Sequence, residues 1–227
     1  MLTQCNFGPE GRFEPNEAIC EFIDYQDYVR DVQIEAPDFK LYSDRDLVVW
    51  FEYHRKRLPV MSGTWNLIAT LDLYLRDFEP GYDGSHTLNV TPWIDVPHSQ
   101  PCGTLVQFTG RYPSSTTDEC WNQMLERFGR PELEFLGLEE ERQAFNERFS
   151  TAAVKSPASW LVETACRIAG CDRLLSNQSS CLAVAHGLGA PVAVEVSQNM
   201  PDVVFLRDNA EYFGMSDDRL QQLGVSM

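Results

Sequence analysis

The chain has 227 residues, 43% hydrophobic and 23% charged, with a formal net charge of −16 and an isoelectric point near 4.5. That acidity argues against a nucleic-acid partner, which needs a basic face to neutralise phosphates; the one basic cluster is His54-Arg55-Lys56-Arg57. No apolar run approaches the roughly 20 residues of a membrane helix, and Met1–Pro15 has neither the basic nor the apolar region of a secretory leader, so a cytoplasmic protein is expected.

The first half opens on a polar, Gly- and Pro-marked stretch over residues 1–15. Apolar residues Ile19, Phe22, Ile23 and Tyr28 predict a helix across 16–29, and 32–36 and 46–53 read as short strands. A second helix is expected over 64–78, with Thr64 as its cap and Leu67, Ile68, Leu71, Leu75 and Phe78 on one stripe. Residues 79–101 hold four prolines and two glycines and mark the expected boundary.

The second half alternates. Strands are expected at 104–110, 133–137, 173–177 and 191–196, with a further one at 202–207. Between them fall helices over 114–129, 139–149, 156–170 and 179–189, and a short one begins at Ser216. Strands alternating with helices predict βαβ units and a parallel α/β sheet. Small residues Cys181, Ala183, Ala185 and Gly187 are expected to bring the helix after Ser180 close to that sheet.

Function is sought where polar residues interrupt this pattern. Asn177-Gln178-Ser179-Ser180 stands between an apolar strand and a small-residue helix. Ligands of open parallel sheets bind beyond the carboxyl ends of the strands, and a helix start offers unpaired amides and partial positive charge to a phosphate. The alternative is that Ser179 merely caps the helix. The four histidines, at 54, 86, 98 and 186, have no zinc spacing, and His186 reads as a core or rim residue. Seven cysteines, at 5, 20, 102, 120, 166, 171 and 181, form no Cys-x-x-Cys pair and read as reduced core residues. The sequons at Asn89 and Asn177 have no expected use without secretion. Serine-hydrolase and P-loop signatures are missing.

The ordered parts carry a resemblance. The stretch 159–196, SWLVETACRIAGCDRLLSNQSSCLAVAHGLGAPVAVEV, resembles the donor-binding end of GT-B glycosyltransferases of the lipopolysaccharide heptosyltransferase-like, ADP-heptose type. LVQFTGRYPSSTTDECWNQMLERFG (105–129) and LEFLGLEEERQAF (133–145) are similar to the opening of that family's C-terminal domain, and the order of parts agrees over roughly 102–208, more weakly over 17–95.

The resemblance implies two Rossmann-like halves: an abbreviated acceptor-side α/β domain over 1–100 and a nucleotide-sugar-binding α/β domain over 101–227. It implies a sugar moved from a nucleoside-diphosphate-sugar to an unknown acceptor hydroxyl, with no cofactor and no obligatory metal. Ser179 and Ser180 would hold the diphosphate, with Asn177 and Gln178 flanking and Thr109 and Gly110 beside it. Arg111 would neutralise charge on the leaving diphosphate, against a plain loop arginine. Gly137 would admit base or ribose, against simple turn use, and Glu195 would accept from ribose hydroxyls, against a solvent-facing strand end. Glu163 reads as a dipole-favoured surface group.

The family's opening strand and its carboxylate-bearing loop have no counterpart in Met1–Pro15. The general base is accordingly spread over Asp46, Glu52, His54, Asp83 and His86. The incomplete sheet edge is expected to be covered by the arm at 1–15 or by a partner chain, with a homodimer or partner complex as the expected assembly. A second reading is a non-catalytic nucleotide or nucleotide-sugar binding module, or a partner subunit of a split glycosyltransferase.

Overall fold

The computed structural model of the chain describes residues 25, 26, 92, 94–110, 116–129, 132–159, 161–197, 203–205 and 207–222. Apart from Tyr25 and Gln26, the elements expected before residue 92 lie outside these.

Six strands, β1 (Cys102–Gln107), β2 (Leu133–Phe135), β3 (Val154–Lys155), β4 (Cys171–Ser176), β5 (Val192–Glu195) and β6 (Ala210–Phe213), form one sheet in the order β3-β2-β1-β4-β5-β6. Every pairing is parallel. Among the described residues five helices accompany them: α1 (Thr117–Phe128), α2 (Glu139–Phe149), α3 (Leu161–Gly170), α4 (Ser180–Leu188) and α5 (Asp217–Gln222). Order and direction are those of a doubly wound, Rossmann-like sheet. No described helix is long and apolar enough to cross a membrane.

Side chains of a strand alternate between faces, so a continuous apolar run suits burial on both. β1 sends Leu105 to one face and Val106 to the other; β4 does so with Leu174 and Leu175, and β5 with Val192 and Ala193. On one face Leu105, Leu174, Val192 and Val194 meet Ala165 and Ile168 of α3, Leu182 and Ala185 of α4 and Leu220 of α5. On the other, Val106, Leu175, Ala193, Leu133 and Phe135 meet Trp121 and Met124 of α1 and Phe145 and Phe149 of α2. Each fully buried Val, Leu, Ile, Met or Phe side chain among them contributes roughly 1.5–3 kcal/mol of transfer free energy. The two layers therefore hold the strand ends, where any site must be built.

The edges differ from expectation. β3 is two residues long, with Val154 61% exposed, too short to leave a period in the sequence. The apolar run expected as a strand over 202–207 is not one in its described part; β6 takes the place beside β5. The Phe205 backbone instead bonds a side chain, its N–H donating to the Tyr212 hydroxyl at 2.8 Å and its carbonyl accepting from it at 2.5 Å.

Pro92, Ile94 and Gln100 lie against α3 and α4. Ile94 N–H donates to Gly187 O and Gln100 N–H to Cys166 O, both at 3.0 Å. Gln26, itself buried, bonds the Asp95 backbone through both ends of its amide. Gly187, expected to face the sheet, receives Ile94 instead: a Cβ there would stand 2.2 Å from Ile94 Cδ1. A Cβ on Gly170 would stand 2.2 Å from Gln100 O, where backbone must move. Gly170→Ala is therefore expected to cost about 1–3 kcal/mol, with proteolysis near residue 100 as the more sensitive readout. Unchanged stability and cleavage would show that the segment is loosely held.

Candidate functional site

The sheet order reverses between β1, whose chain runs on to β2 and β3, and β4, whose chain runs on to β5 and β6. In open parallel sheets, the crevice at such a reversal is where ligands bind. Residues 108–116 follow β1, and the elbow 177–179 follows β4.

The elbow is built from buried polar groups. Ser176 Oγ, at the end of β4, lies 3.0 Å from Gln107 Oε1, 2.8 Å from Asn177 O and 3.1 Å from Ser179 Oγ. Asn177, 2% exposed, closes a two-way clasp on β1's loop. Thr109 N–H donates to its Oδ1 at 3.1 Å, and its Nδ2 donates to Thr109 O at 2.6 Å. Asn177 therefore sets the distance between the two loops. Gln178 is buried beside it.

Ser179 is the N-cap of α4, extended at φ −153° and ψ 169°, its Oγ accepting from Leu182 N–H at 3.2 Å. The capping reading is thus realised. Intrahelical bonding starts with Ala183 N–H on Ser179 O, so helix geometry leaves the amides of Ser180 and Cys181 without helical acceptors. Ser180, the first helical residue, is exposed.

Electrostatics separate α4 from the other described helices. First turns elsewhere carry acids that offset the positive end of the helix dipole: Asp118 and Glu119 on α1, Glu139, Glu140 and Glu141 on α2, Glu163 on α3, Asp217 and Asp218 on α5. The first turn of α4 carries none. Among the described helices, α4 is thus the one whose first turn supplies no acid of its own, although Glu141 of α2 acts on Cys181 there.

Other sequence candidates fall in varied places. Thr109 is held by Asn177, and exposed Gly110 has open space on its Cα. Gly137 has φ +147°, and a Cβ there would stand 2.7 Å from Phe135 Cε1 and 2.8 Å from Glu141 Oε2. Its turn and the start of α2 already require glycine, while its carbonyl accepts from Lys155.

Glu195 is not a solvent-facing strand end. It is 2% exposed, with Oε1 accepting from Thr117 Oγ1 at 2.5 Å and Oε2 from Trp121 Nε1 at 2.7 Å. Glu163 accepts from Ser159 N–H at 2.8 Å and Ser159 Oγ at 2.9 Å, as a group at the amino end of its helix. Arg111 lies outside the described residues, as do Asp46, Glu52, His54, Asp83 and His86.

His186 is a core residue, stacked on Phe205 at 4.1 Å with Nδ1 3.1 Å from Arg207. Burial, then the Arg207 charge, pushes its pKa down to about 3, partly offset by the Val203 backbone. Described cysteines are free thiols. Burial pushes Cys171 up to about 12 and Cys181 to about 11, so neither is a thiolate nucleophile near neutral pH. Among the described residues no cluster of three or more His, Cys, Asp or Glu could hold a metal ion.

Gln107, Thr117 and Trp121 also bear on the site, though none is among the sequence candidates. Gln107 had a signal: it is a lone amide in an apolar run, and it is the last residue of β1. Thr117 and Trp121 had none, because their partner is 78 and 74 residues away.

No family model matches the chain, and no curated protein matches it. Among solved structures, a glycosyl transferase family 9 protein from Veillonella parvula is similar at 17% identity and a TM-score of 0.48, over 66% of this chain and 49% of that one. The chain thus spans about half the length of that protein.

Proposed function

We propose that the crevice over β4 binds the diphosphate of a nucleoside-diphosphate-sugar, and that the chain is a glycosyltransferase passing that sugar to an acceptor hydroxyl. One observation carries the binding half: the acid-free start of α4 stands at the reversal of strand order, braced to the β1 loop by Asn177. The transfer half rests on the resemblance of residues 102–208 to heptosyltransferase-like GT-B enzymes.

In this reading the acceptor oxygen forms a new bond to the anomeric carbon as the bond from that carbon to the diphosphate breaks. The nucleoside diphosphate leaves with the electron pair. Helix amides and serine hydroxyls at Ser179 and Ser180 take up the charge gathering on it. Arg111, following the β1 loop, is proposed to share that charge, and the acceptor's proton passes to a base still to be assigned. No metal is required by this scheme.

The test is incubation of the full chain with a nucleotide-sugar panel, following thermal stability and sugar release together. A ligand at a hundred times its Kd stabilises by about 2.7 kcal/mol, or roughly 5–10 °C for a domain of this size. Ser179→Ala is expected to cost about 1 kcal/mol through the lost cap and to abolish most of the ligand-induced shift. A shift without hydrolysis or transfer would leave a binding module or the donor half of a split enzyme. No shift with any nucleotide or nucleotide-sugar would remove both readings.

A further inference from the structure

Glu195 closes β5 on the face that Ala193 gives to the α1–α2 layer. A buried carboxylate is costly unless donors meet its oxygens. Here the donors come from α1, through Thr117 Oγ1 and Trp121 Nε1. Yet α1 leaves β1, and β4 stands between β1 and β5. At a strand spacing of about 4.8 Å, these bonds carry the start of α1 across the end of β4, beside the elbow. Asn177 holds the same connection at its other end, through Thr109. The two clasps fix the described ends of the β1–α1 loop to the ends of β4 and β5, on the β4 side of the crevice.

We infer that Glu195 is a positioning residue of the crevice and not a ligand within it. Its carboxylate sets where the start of α1 stands relative to Ser179 and Ser180, and so sets the space open to a pyrophosphate group. The inference rests on reading that crevice as an anion site, and it gives Glu195 a role other than contact with a ribose.

Calorimetric titration of the full chain, well below its melting temperature, separates these roles. The probes are inorganic pyrophosphate and the ribonucleoside diphosphates ADP, GDP, UDP and CDP. Glu195→Gln and Thr117→Val are expected to weaken pyrophosphate and nucleoside diphosphate by the same factor, about tenfold, while Thr117→Ser stays within about twofold of wild type. Thr117→Val keeps the test open should Glu195→Gln fail to fold. A loss confined to the nucleoside diphosphates would make Glu195 a ribose ligand and overturn the inference. Unchanged affinity for both probes would also overturn it, leaving a purely structural carboxylate. Wild-type protein that binds neither probe would overturn the anion-site reading itself, and this inference with it.

Discussion

Acidifying the protein from pH 6.5 to pH 4 is expected to remove about 3 kcal/mol of stability through His186 alone. The folded pKa of His186 is depressed from 6.5 to about 3, chiefly by burial and then by Arg207. Between those values the unfolded chain binds a proton that the folded chain refuses. Stability therefore rises with pH across that window and falls on acidification, by about 1.4 kcal/mol per pH unit. The folded state must keep the ring neutral, because Nδ1 faces the Arg207 guanidinium, which is itself buried among the carbonyls of Ala185, His186 and Ala190. Urea unfolding of wild type and His186→Phe at several pH values isolates the term, since titrating carboxylates are shared by both proteins. The phenyl ring can keep the stack on Phe205. The wild-type curve should fall more steeply than the variant's below pH 6.5; parallel curves would show that the imidazole titrates normally and is not sealed in.

The second large effect is expected at Trp121. Its indole is fully buried among Phe108, Phe145 and Phe149, with ring centroids 5.2, 5.3 and 5.8 Å away. Trp→Ala in such a place costs about 3–5 kcal/mol through lost packing and the cavity. Here it also removes a donor from the buried Glu195 carboxylate, at about 1.5–3 kcal/mol more. The sum rivals the whole stability of a typical domain, roughly 5–15 kcal/mol, so Trp121→Ala is expected to be largely unfolded at 25 °C. Trp121→Phe divides the two terms, keeping most of the bulk and losing only the Nε1 donor. Circular dichroism and urea titration should place it about 2 kcal/mol below wild type. Equality with wild type would mean that the indole–carboxylate bond carries no weight.

Much of the fold was legible because its determinants are local. The runs Leu105-Val106, Leu174-Leu175 and Val192-Ala193-Val194 are apolar at successive positions, as strands covered on both faces must be. Acidic helix starts and the Ser179 cap are set by neighbours within a turn. The edges were not legible. Val203-Val204-Phe205 is the more strand-like run by composition, yet Ala210–Phe213 pairs with β5. The side chain of Arg207 is committed to the carbonyls at the end of α4, and Tyr212 holds the Phe205 backbone. Both ties decide which segment can reach the sheet.

The candidate site divides in the same way. That the elbow would be polar, and a helix start, was written in Asn177-Gln178-Ser179-Ser180. That Asn177 would clasp Thr109, 68 residues away, and that Glu195 would turn inward to α1 was not. Hydrophobic period and capping act within a few residues, so the chain alone determined the alternation of strands and helices and the position of the elbow. Strand order, and the partners of each buried polar group, depend on closing contacts between distant segments. Only the assembled sheet decides those, because a buried amide or carboxylate must be met by whatever donors the packing brings to it.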